Sequence, residues 1–131
     1  MAEPKRILLI ENDEDTLFLI GNALTRSGYL VETCLAASGI LEAKHALPDL
    51  FILDKELPII DGIAVSKFLR LHVSTSGIPI IMISGDQIRK KAKRAGIDAF
   101  IMKPFRLSYL VKTVNKYINE NSKRNCKPQG V

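Results

Sequence analysis

The sequence predicts an α/β fold: a doubly wound, five-stranded parallel sheet of order 2-1-3-4-5 with helices on both faces. Short apolar runs alternate five times with segments of helical periodicity along the 131 residues. One of these runs, residues 50–53, is apolar at every position, as expected for a strand buried on both faces of a parallel sheet. Because βα units connect through right-handed crossovers, the simplest arrangement makes strands one and three neighbours at the topological switch point.

The first half of the chain contains three predicted strands and two predicted helices. Asp13 or Glu14 opens the first helix, and Gly28 closes it. Pro48 ends the second helix, because the residue before a proline is disfavoured in the helical conformation. In chain order the predicted elements are a strand over residues 6–10, the first helix, a strand over 29–34, a helix over 38–46 and a strand over 50–53.

The second half begins with a turn-rich loop at residues 58–62 and continues the βα alternation. Asp86 is predicted to start the fourth helix, and the last helix is predicted to begin at Ser108 or at the residue just before it. One domain is expected over residues 1–120, followed by a polar, disordered tail over residues 121–131. The predicted elements are a helix over 63–72, a strand over 80–83, the fourth helix, a strand over 99–102 and the last helix.

Composition and charge indicate a cytoplasmic globular domain with surfaces of opposite charge. The apolar runs are too short to span a bilayer, and the N-terminus lacks the hydrophobic core of a signal peptide. Cys34 is interpreted as a small core residue in a reducing compartment. Residues 1–65 hold 5 Lys/Arg against 11 Asp/Glu, a net charge of −6, whereas residues 66–131 hold 14 against 3, a net charge of +11. This asymmetry predicts different partners for different surfaces.

Polar residues follow four of the predicted strands, at the rim where open α/β sheets place their chemistry. They are Glu11-Asn12 after the first strand, Asp54 after the third, Ser84 after the fourth and Lys103 after the fifth. A lysine beside carboxylates is often only a structural ion pair. A carboxylate nucleophile attacking phosphorus, however, also needs cations and hydroxyl donors to neutralise the phosphoryl oxygens. Lysine, a serine hydroxyl and Mg²⁺ held by oxygen ligands meet this need, so phosphoryl chemistry is the favoured interpretation.

The chain from about residue 5 to residue 117 resembles the receiver domain of two-component response regulators. The resemblance implies a chemotaxis-regulator-like, flavodoxin-like fold. Each motif is weak alone, but together, in order and at strand ends, they are specific. The motifs are Glu11-Asn12-Asp13, Asp54 with Pro58 and Asp61-Gly62, Ser84-Gly85, Ala95-Gly96 and Lys103-Pro104-Phe105.

The resemblance also implies a role for each site residue. Asp54 would be the phosphoacceptor, Lys103 the phosphate-contacting lysine, Ser84 the switch hydroxyl and Phe100 the switch aromatic residue, while the bond before Pro104 is commonly cis in the family. The cofactor implied is Mg²⁺. Its expected ligands are Glu11, Asn12, Asp54 and the backbone carbonyl of Glu56.

Asn12 departs from the family pattern. Receivers usually carry two acidic residues after the first strand, and the second is commonly a direct metal ligand, whereas this chain has a neutral amide there. Asp13 comes immediately after it and is a candidate to compensate, although its position equally suits a helix N-cap. The sequence leaves both roles open.

The function expected from the resemblance is a phosphorylation-controlled signalling domain that receives its phosphoryl group from a sensor histidine kinase or a phosphotransfer protein. Such a domain catalyses its own phosphorylation and dephosphorylation but is not an enzyme with an independent substrate. Two rivals are a phosphorylation-independent pseudo-receiver that acts as an interaction module and, less favoured, a phosphatase with an aspartyl nucleophile. Incubation with a small phosphodonor separates the three.

The basic run at residues 89–94 is interpreted as a solvated or protein-binding helix face. No aromatic residues interleave it, and no DNA-binding domain comes after it, so direct nucleic-acid binding is not expected. Ala92, Ala95 and Ile88 form the expected buried stripe, which leaves the charges in solvent. A homodimer or an acidic protein partner is expected at the face formed by helix four, strand five and helix five, and no membrane association is expected.

Overall fold

A five-stranded, all-parallel sheet of order β2-β1-β3-β4-β5 forms the centre of the molecule, as predicted. The computed structural model describes residues 3–38 and 47–125, the last four of these by their backbone alone. Each strand lies close to its predicted range. The strands are β1 (Arg6–Ile10), β2 (Leu30–Cys34), β3 (Leu50–Asp54), β4 (Ile80–Ser84) and β5 (Ala99–Met102).

Four helices lie within the described part of the chain. The predicted second helix, residues 38–46, lies outside the described residues except for Ser38, so the third and fourth helices here correspond to the fourth and fifth predicted ones. The last helix continues through Asn125, five residues into the segment predicted as a tail, and the domain boundary stays a prediction. The helices are α1 (Glu14–Arg26), α2 (Gly62–Leu71), α3 (Arg89–Arg94) and α4 (Leu107–Asn125).

The two faces of the sheet carry separate hydrophobic cores, because side chains alternate along each strand. On β3, Phe51 and Leu53 pack towards α2 and α3, whereas Leu50 and Ile52 pack towards α1 and α4. All positions of β3 and β4 are buried, which explains why these strands are apolar without alternation. Cys34, predicted as a core residue, is half-buried and packs against the α2 side.

The fourth predicted helix starts later than expected, and the assignment of Asp86 as its first residue was wrong. The helix begins at Arg89, with Ile88 at the N-cap position and no side-chain cap. The backbone of Asp86 is instead bound to the Ser84 hydroxyl in the turn after β4. Of the expected buried stripe, Ala92 and Ala95 are buried, whereas Ile88 is only partly buried and packs against the core.

In the described part of the chain, no helix is both long and apolar enough to cross a membrane.

Candidate functional site

The strand register brings the predicted site residues to one rim of the sheet. Ile10 lies opposite Leu53 and Ser84 opposite Met102, so the residues just after β1 and β5 flank the ends of β3 and β4. The Glu11, Asp54 and Ser84 side chains are all buried there. The topology thus places the acidic, hydroxyl and lysine groups of four strands at one edge.

Lys103 lies between two buried carboxylates. Its Nζ donates to Glu11 Oε1 at 3.2 Å and to Asp54 Oδ2 at 3.0 Å, and each acid side chain is 1% exposed. Asp54 Oδ1 accepts a further hydrogen bond from the backbone N–H of Glu56 at 2.9 Å. The Lys103–Pro104 peptide bond is cis, as the resemblance implied. Two acids therefore share a single ammonium group, and the ionised site carries a net negative charge.

Glu11 is the carboxyl group of this pair that is less well stabilised in its charged form. Burial raises the pKa of Glu11 to about 8, and the Asp54 carboxyl acts in the same direction, while Lys103 opposes both. Burial by itself lowers the pKa of Lys103, but its bonds to Asp54 and Glu11 outweigh that effect and raise it. Among the described residues, the other Glu11 oxygen, Oε2, has no hydrogen-bond partner. Either a proton or a bound cation would satisfy this buried oxygen.

The surroundings of Glu11 suit a hard cation. Mg²⁺ takes oxygen ligands and commonly uses one or two carboxylates with several waters, so the unpaired Glu11 oxygen and Asp54 fit it. The Asn12 amide is exposed beside them. No cluster of three or more acidic, His or Cys side chains suited to a metal occurs within the described residues. The oxygen donors therefore fit Mg²⁺, with one charge fewer than a second acid would supply.

Asp13 is the N-cap residue of helix α1. Its Oδ2 accepts from the Thr16 backbone N–H at 3.0 Å and from the Thr16 hydroxyl at 2.5 Å, which is the geometry of an N-cap. The Thr16 hydroxyl, and after it the Thr16 N–H group, lowers the pKa of Asp13. Asp13 Oδ2 is therefore occupied as the N-cap of α1.

The predicted switch residues are both buried but lie in different parts of the molecule. The Ser84 hydroxyl donates to the Asp86 carbonyl at 2.9 Å and accepts from the Asp86 N–H at 3.0 Å, so it closes the turn that leads to α3. Phe100 is buried in the α2–α3 core, with the Arg89 guanidinium 5.1 Å from its ring centroid. Ser84 is thus at the rim, whereas Phe100 is on the path from β5 to α3.

Gly62 is required beside the end of β3. A Cβ atom at this position would lie 2.5 Å from the backbone carbonyl oxygen of Asp54, closer than any side chain tolerates. Ile59, in the same loop, adopts a φ of 71° and is fully exposed, which is rare for a β-branched residue. The sequence indicated a turn here but not these close approaches.

Lys55 is a rim residue that sequence reasoning missed. Its Nζ lies 3.5 Å from Glu56 Oε1 and 3.8 Å from Asp86 Oδ2, so it links the loop after β3 to the loop after β4. No motif indicates this residue, because the contact with Asp86 exists only once β3 and β4 pair. Ion pairs of this length at a solvated surface contribute little stability.

Comparison with known proteins gives one consistent family. The family model described as the response regulator receiver domain matches residues 7–115. The polar-differentiation response regulator DivK of Brucella anthropi is 27% identical over 125 residues, which cover 89% of this chain and 98% of that protein. A CheY-like receiver domain protein from Methanospirillum hungatei superposes with a TM-score of 0.84 at 26% identity, over 92% of this chain and 98% of that one. The CheY4 chemotaxis regulator of Vibrio cholerae, 23% identical with a TM-score of 0.81 over 87% of this chain and 98% of that one, shares the fold.

Proposed function

The chain belongs to the response regulator receiver domain family, and from this premise we propose that Asp54 accepts a phosphoryl group from a histidine kinase or a phosphotransfer protein. Phosphorylation of an aspartate is general in this family of two-component signalling domains. The observation that supports Asp54 is its buried carboxylate at the end of β3, held 3.0 Å from Lys103. We infer a cytoplasmic location, where such kinases present their phosphohistidine.

In the proposed reaction, a carboxylate oxygen of Asp54 attacks phosphorus as the bond from phosphorus to the donor nitrogen breaks and the histidine takes back its electron pair. The incoming phosphoryl oxygens bring negative charge to a site that already holds two acids, so cations must neutralise it. Lys103 lies in position to do so as a point charge. Receiver domains generally bind Mg²⁺ at this site, where it neutralises phosphoryl oxygens. Here Glu11, Asn12, Asp54 and the Glu56 backbone carbonyl would hold it.

The proposed signal is a local change of charge. A phosphoryl group adds about −1.5 to −2 charge and three strong acceptor oxygens. The Ser84 hydroxyl, now bound within the Asp86 turn, would exchange the Asp86 carbonyl for a phosphoryl oxygen. That exchange loosens the turn that leads to α3 and, through Phe100, biases the surface formed by α3, β5 and α4. The domain acts as a switch in this scheme and has no independent substrate.

Intact-mass analysis after incubation with acetyl phosphate and Mg²⁺ tests the assignment. We expect one added phosphoryl group on the wild-type chain and none on Asp54→Asn. The matched control, Asp15→Asn, makes the same change at an exposed position of α1 and should still accept the group. An undiminished adduct on Asp54→Asn would reject Asp54 as the acceptor.

A second candidate function is a pseudo-receiver that docks partners without phosphorylation. It is favoured by two observations together: Asn12 carries no charge, and Asp13 is occupied as the N-cap of α1. The same experiment decides between them, because a pseudo-receiver would gain no phosphoryl group even at high Mg²⁺ concentration.

A further inference from the structure

The strand β2 forms one of the two edges of the sheet. Among the described residues it pairs only with β1, in parallel register. The Leu30 N–H donates to the Lys5 carbonyl at 2.9 Å, which directs Leu30 and every second residue after it towards β1. Because successive residues of a strand alternate in direction, the N–H and C=O groups of Val31 and Thr33 are directed towards the open edge. These backbone groups are a template for pairing with a further strand.

The two edges of the sheet differ in the charges beside them. Lysine beside an edge strand discourages pairing with another chain. The surface beside β5 has four cations, Arg89, Lys93, Lys112 and Lys116. The strand β2, with the sequence Leu-Val-Glu-Thr-Cys, contains neither lysine nor arginine. The β2 edge is therefore less protected against pairing than the β5 edge.

Exposed apolar side chains flank the β2 edge. Leu30, at the start of the strand, is 47% exposed, and Leu35, directly after its end, is 46% exposed. Phe18 of α1 is 67% exposed and lies one helical turn from Gly21. A Cβ atom at Gly21 would lie 3.8 Å from the Thr33 methyl group, so this face of α1 runs beside β2. The open edge and the adjoining helix face therefore form one partly apolar surface.

A second copy of β2 fits this edge in an antiparallel register centred on Thr33. Thr33 then lies opposite its own copy, and cross-strand threonine pairs are favourable in sheets. Val31 lies opposite Leu35 of the second copy, so that two apolar residues meet. Glu32 lies opposite Cys34 of the second copy, whereas a register centred on Glu32 would place two like charges directly opposite each other. The side chains of β2 therefore favour one register of self-pairing.

The same arrangement brings two α1 helices together with complementary charges. A twofold axis at Thr33 makes the α1 helices antiparallel as well as the strands, and it leaves both helices on one face of the joined sheet. The first turn of α1 is acidic, at Glu14 and Asp15, and its last turn carries Arg26. The acidic end of each helix then lies beside the basic end of the other, while Gly21, near the middle, leaves room for a close approach. This complementarity favours a second copy over an unrelated strand.

We propose that the chain forms a twofold-symmetric dimer through the β2 edge, in which antiparallel β2 strands join two sheets and Phe18 of each α1 packs against the other α1. This inference goes beyond the proposed function, because the contacts involve neither Asp54 nor the surface formed by α3, β5 and α4. The partner is a second copy of this chain.

Sedimentation over a range of concentrations tests the proposal with two variants at one position. Thr33→Pro removes the outward N–H, and proline is tolerated in an edge strand where that group faces solvent, so the monomer should still fold. We expect the wild type and Thr33→Val to dimerise with a Kd below about 1 mM, and Thr33→Pro to weaken the dimer at least tenfold. Unchanged dimers in Thr33→Pro, or a wild-type chain that stays monomeric at about 1 mM, would overturn the proposal.

Disulfide cross-linking tests the register without a proline. In a chain with Cys34→Ala and Cys126→Ala, Thr33→Cys should form an intermolecular disulfide on mild oxidation. Opposite residues of a hydrogen-bonded antiparallel pair have Cα atoms about 5.5 Å apart, which is within reach of a disulfide. The control is Ser74→Cys, at an exposed position before β4. Equal rates of cross-linking for the two cysteines would mean random collision and would reject the register.

Two truncations of neighbouring residues separate the flanks of α1. Phe18→Ala removes the proposed contact, and we expect at least fivefold weaker dimerisation. Leu19 is 54% exposed and lies with Lys103 and Pro104 on the other flank of the helix, so Leu19→Ala should change the Kd less than about twofold. Equal losses in the two variants would contradict the placement of Phe18 in the interface.

Other occupants of the edge would give different results. A chain that stays monomeric but binds an alternating threonine–valine peptide at the β2 amides in an NMR titration would replace the second copy with a strand of another protein. Dimers that persist in Thr33→Pro but are lost in Lys93→Glu with Lys112→Glu would place the interface at the β5 edge. The Thr33 and Phe18 variants should still be phosphorylated by acetyl phosphate, so a failure of dimerisation is distinguishable from a failure of the Asp54 assignment.

Discussion

At the carboxyl ends of the strands two buried carboxylates share one ammonium group, whereas at the amino ends of β4 and β5 one guanidinium is shared among several acceptors. Arg70 donates to the carbonyl oxygens of Gly96, Ser76 and Ile78 at 2.8, 3.1 and 2.7 Å, and to Asp98 at 2.6 Å. Every group in that cluster has a partner of suitable geometry. At the opposite end, a buried oxygen of the acidic pair has none among the described residues.

The Arg70 cluster stabilises the fold, whereas the acidic pair at the opposite end has an oxygen that is free to bind a ligand. The planar guanidinium of Arg70 ties α2 to two loops, those before β4 and before β5, and gains from each bond. A buried acid with an unpaired oxygen costs stability until a proton or a cation arrives. We therefore expect changes at the two ends to have opposite effects on stability.

The largest expected effect comes from Glu11→Gln at alkaline pH. Since the pKa of Glu11 is raised to about 8 in the folded state, the folded chain keeps a proton that the unfolded chain releases above its ordinary value of 4.5. The wild-type free energy of unfolding should fall as pH rises through this window and level off above about 8. The amide has no such dependence. Because a difference of one pKa unit corresponds to about 1.4 kcal/mol, the variant should be more stable than the wild type above pH 8 by roughly 5 kcal/mol. Urea unfolding from pH 5 to 9 measures the difference.

The control for this pH dependence is Glu3→Gln, the same substitution at an exposed position. It should leave the profile unchanged. Parallel profiles for wild type and Glu11→Gln would contradict the raised pKa.

A somewhat smaller effect of opposite sign is expected from Arg70→Ala. The variant loses four hydrogen bonds and leaves Asp98 without its cation, which should lower the free energy of unfolding by about 2 kcal/mol. Arg70→Lys keeps the charge but not the planar fork, so it should recover less than half of the loss. Urea midpoints measure both, and a fully stable Arg70→Ala would show that the amino-end cluster does not hold the loops.

The smallest expected effect is on metal affinity. Asn12→Asp adds a charge where the oxygen donors of the site lie, and we expect Mg²⁺ to bind at least tenfold more tightly, or about 1.4 kcal/mol. Asn22→Asp makes the same change at an exposed position of α1 and should leave the affinity unaltered. Because the chain has no Trp, amide shifts in an NMR titration provide the measurement. Equal or weaker affinity of Asn12→Asp would mean that the metal site is arranged differently.

The elements and the site were predictable to different degrees. The strands and their order were predicted from apolar runs and βα alternation, and the structure confirms both. The start of α3 was mispredicted, because Asp86 has the chemistry of an N-cap but its backbone is held in the turn by the Ser84 hydroxyl. The preference of an aspartate for the N-cap position depends on the local sequence. The competing hydrogen bonds of the Ser84 hydroxyl depend on where β4 ends, which is decided by the sheet.

The sequence by itself determined which residues end the strands, because burial on both faces demands unbroken apolar runs and the polar residues next to those runs gather at the rim of a parallel sheet. Only the tertiary structure decided how those residues meet. Lys103 reaches Glu11 across 92 positions and Asp54 across 49, and Arg70 reaches Gly96 across 26. Such distances depend on strand register and helix packing, which no local pattern encodes. The unpaired Glu11 oxygen emerges for the same reason, since it is a property of groups brought together by the fold.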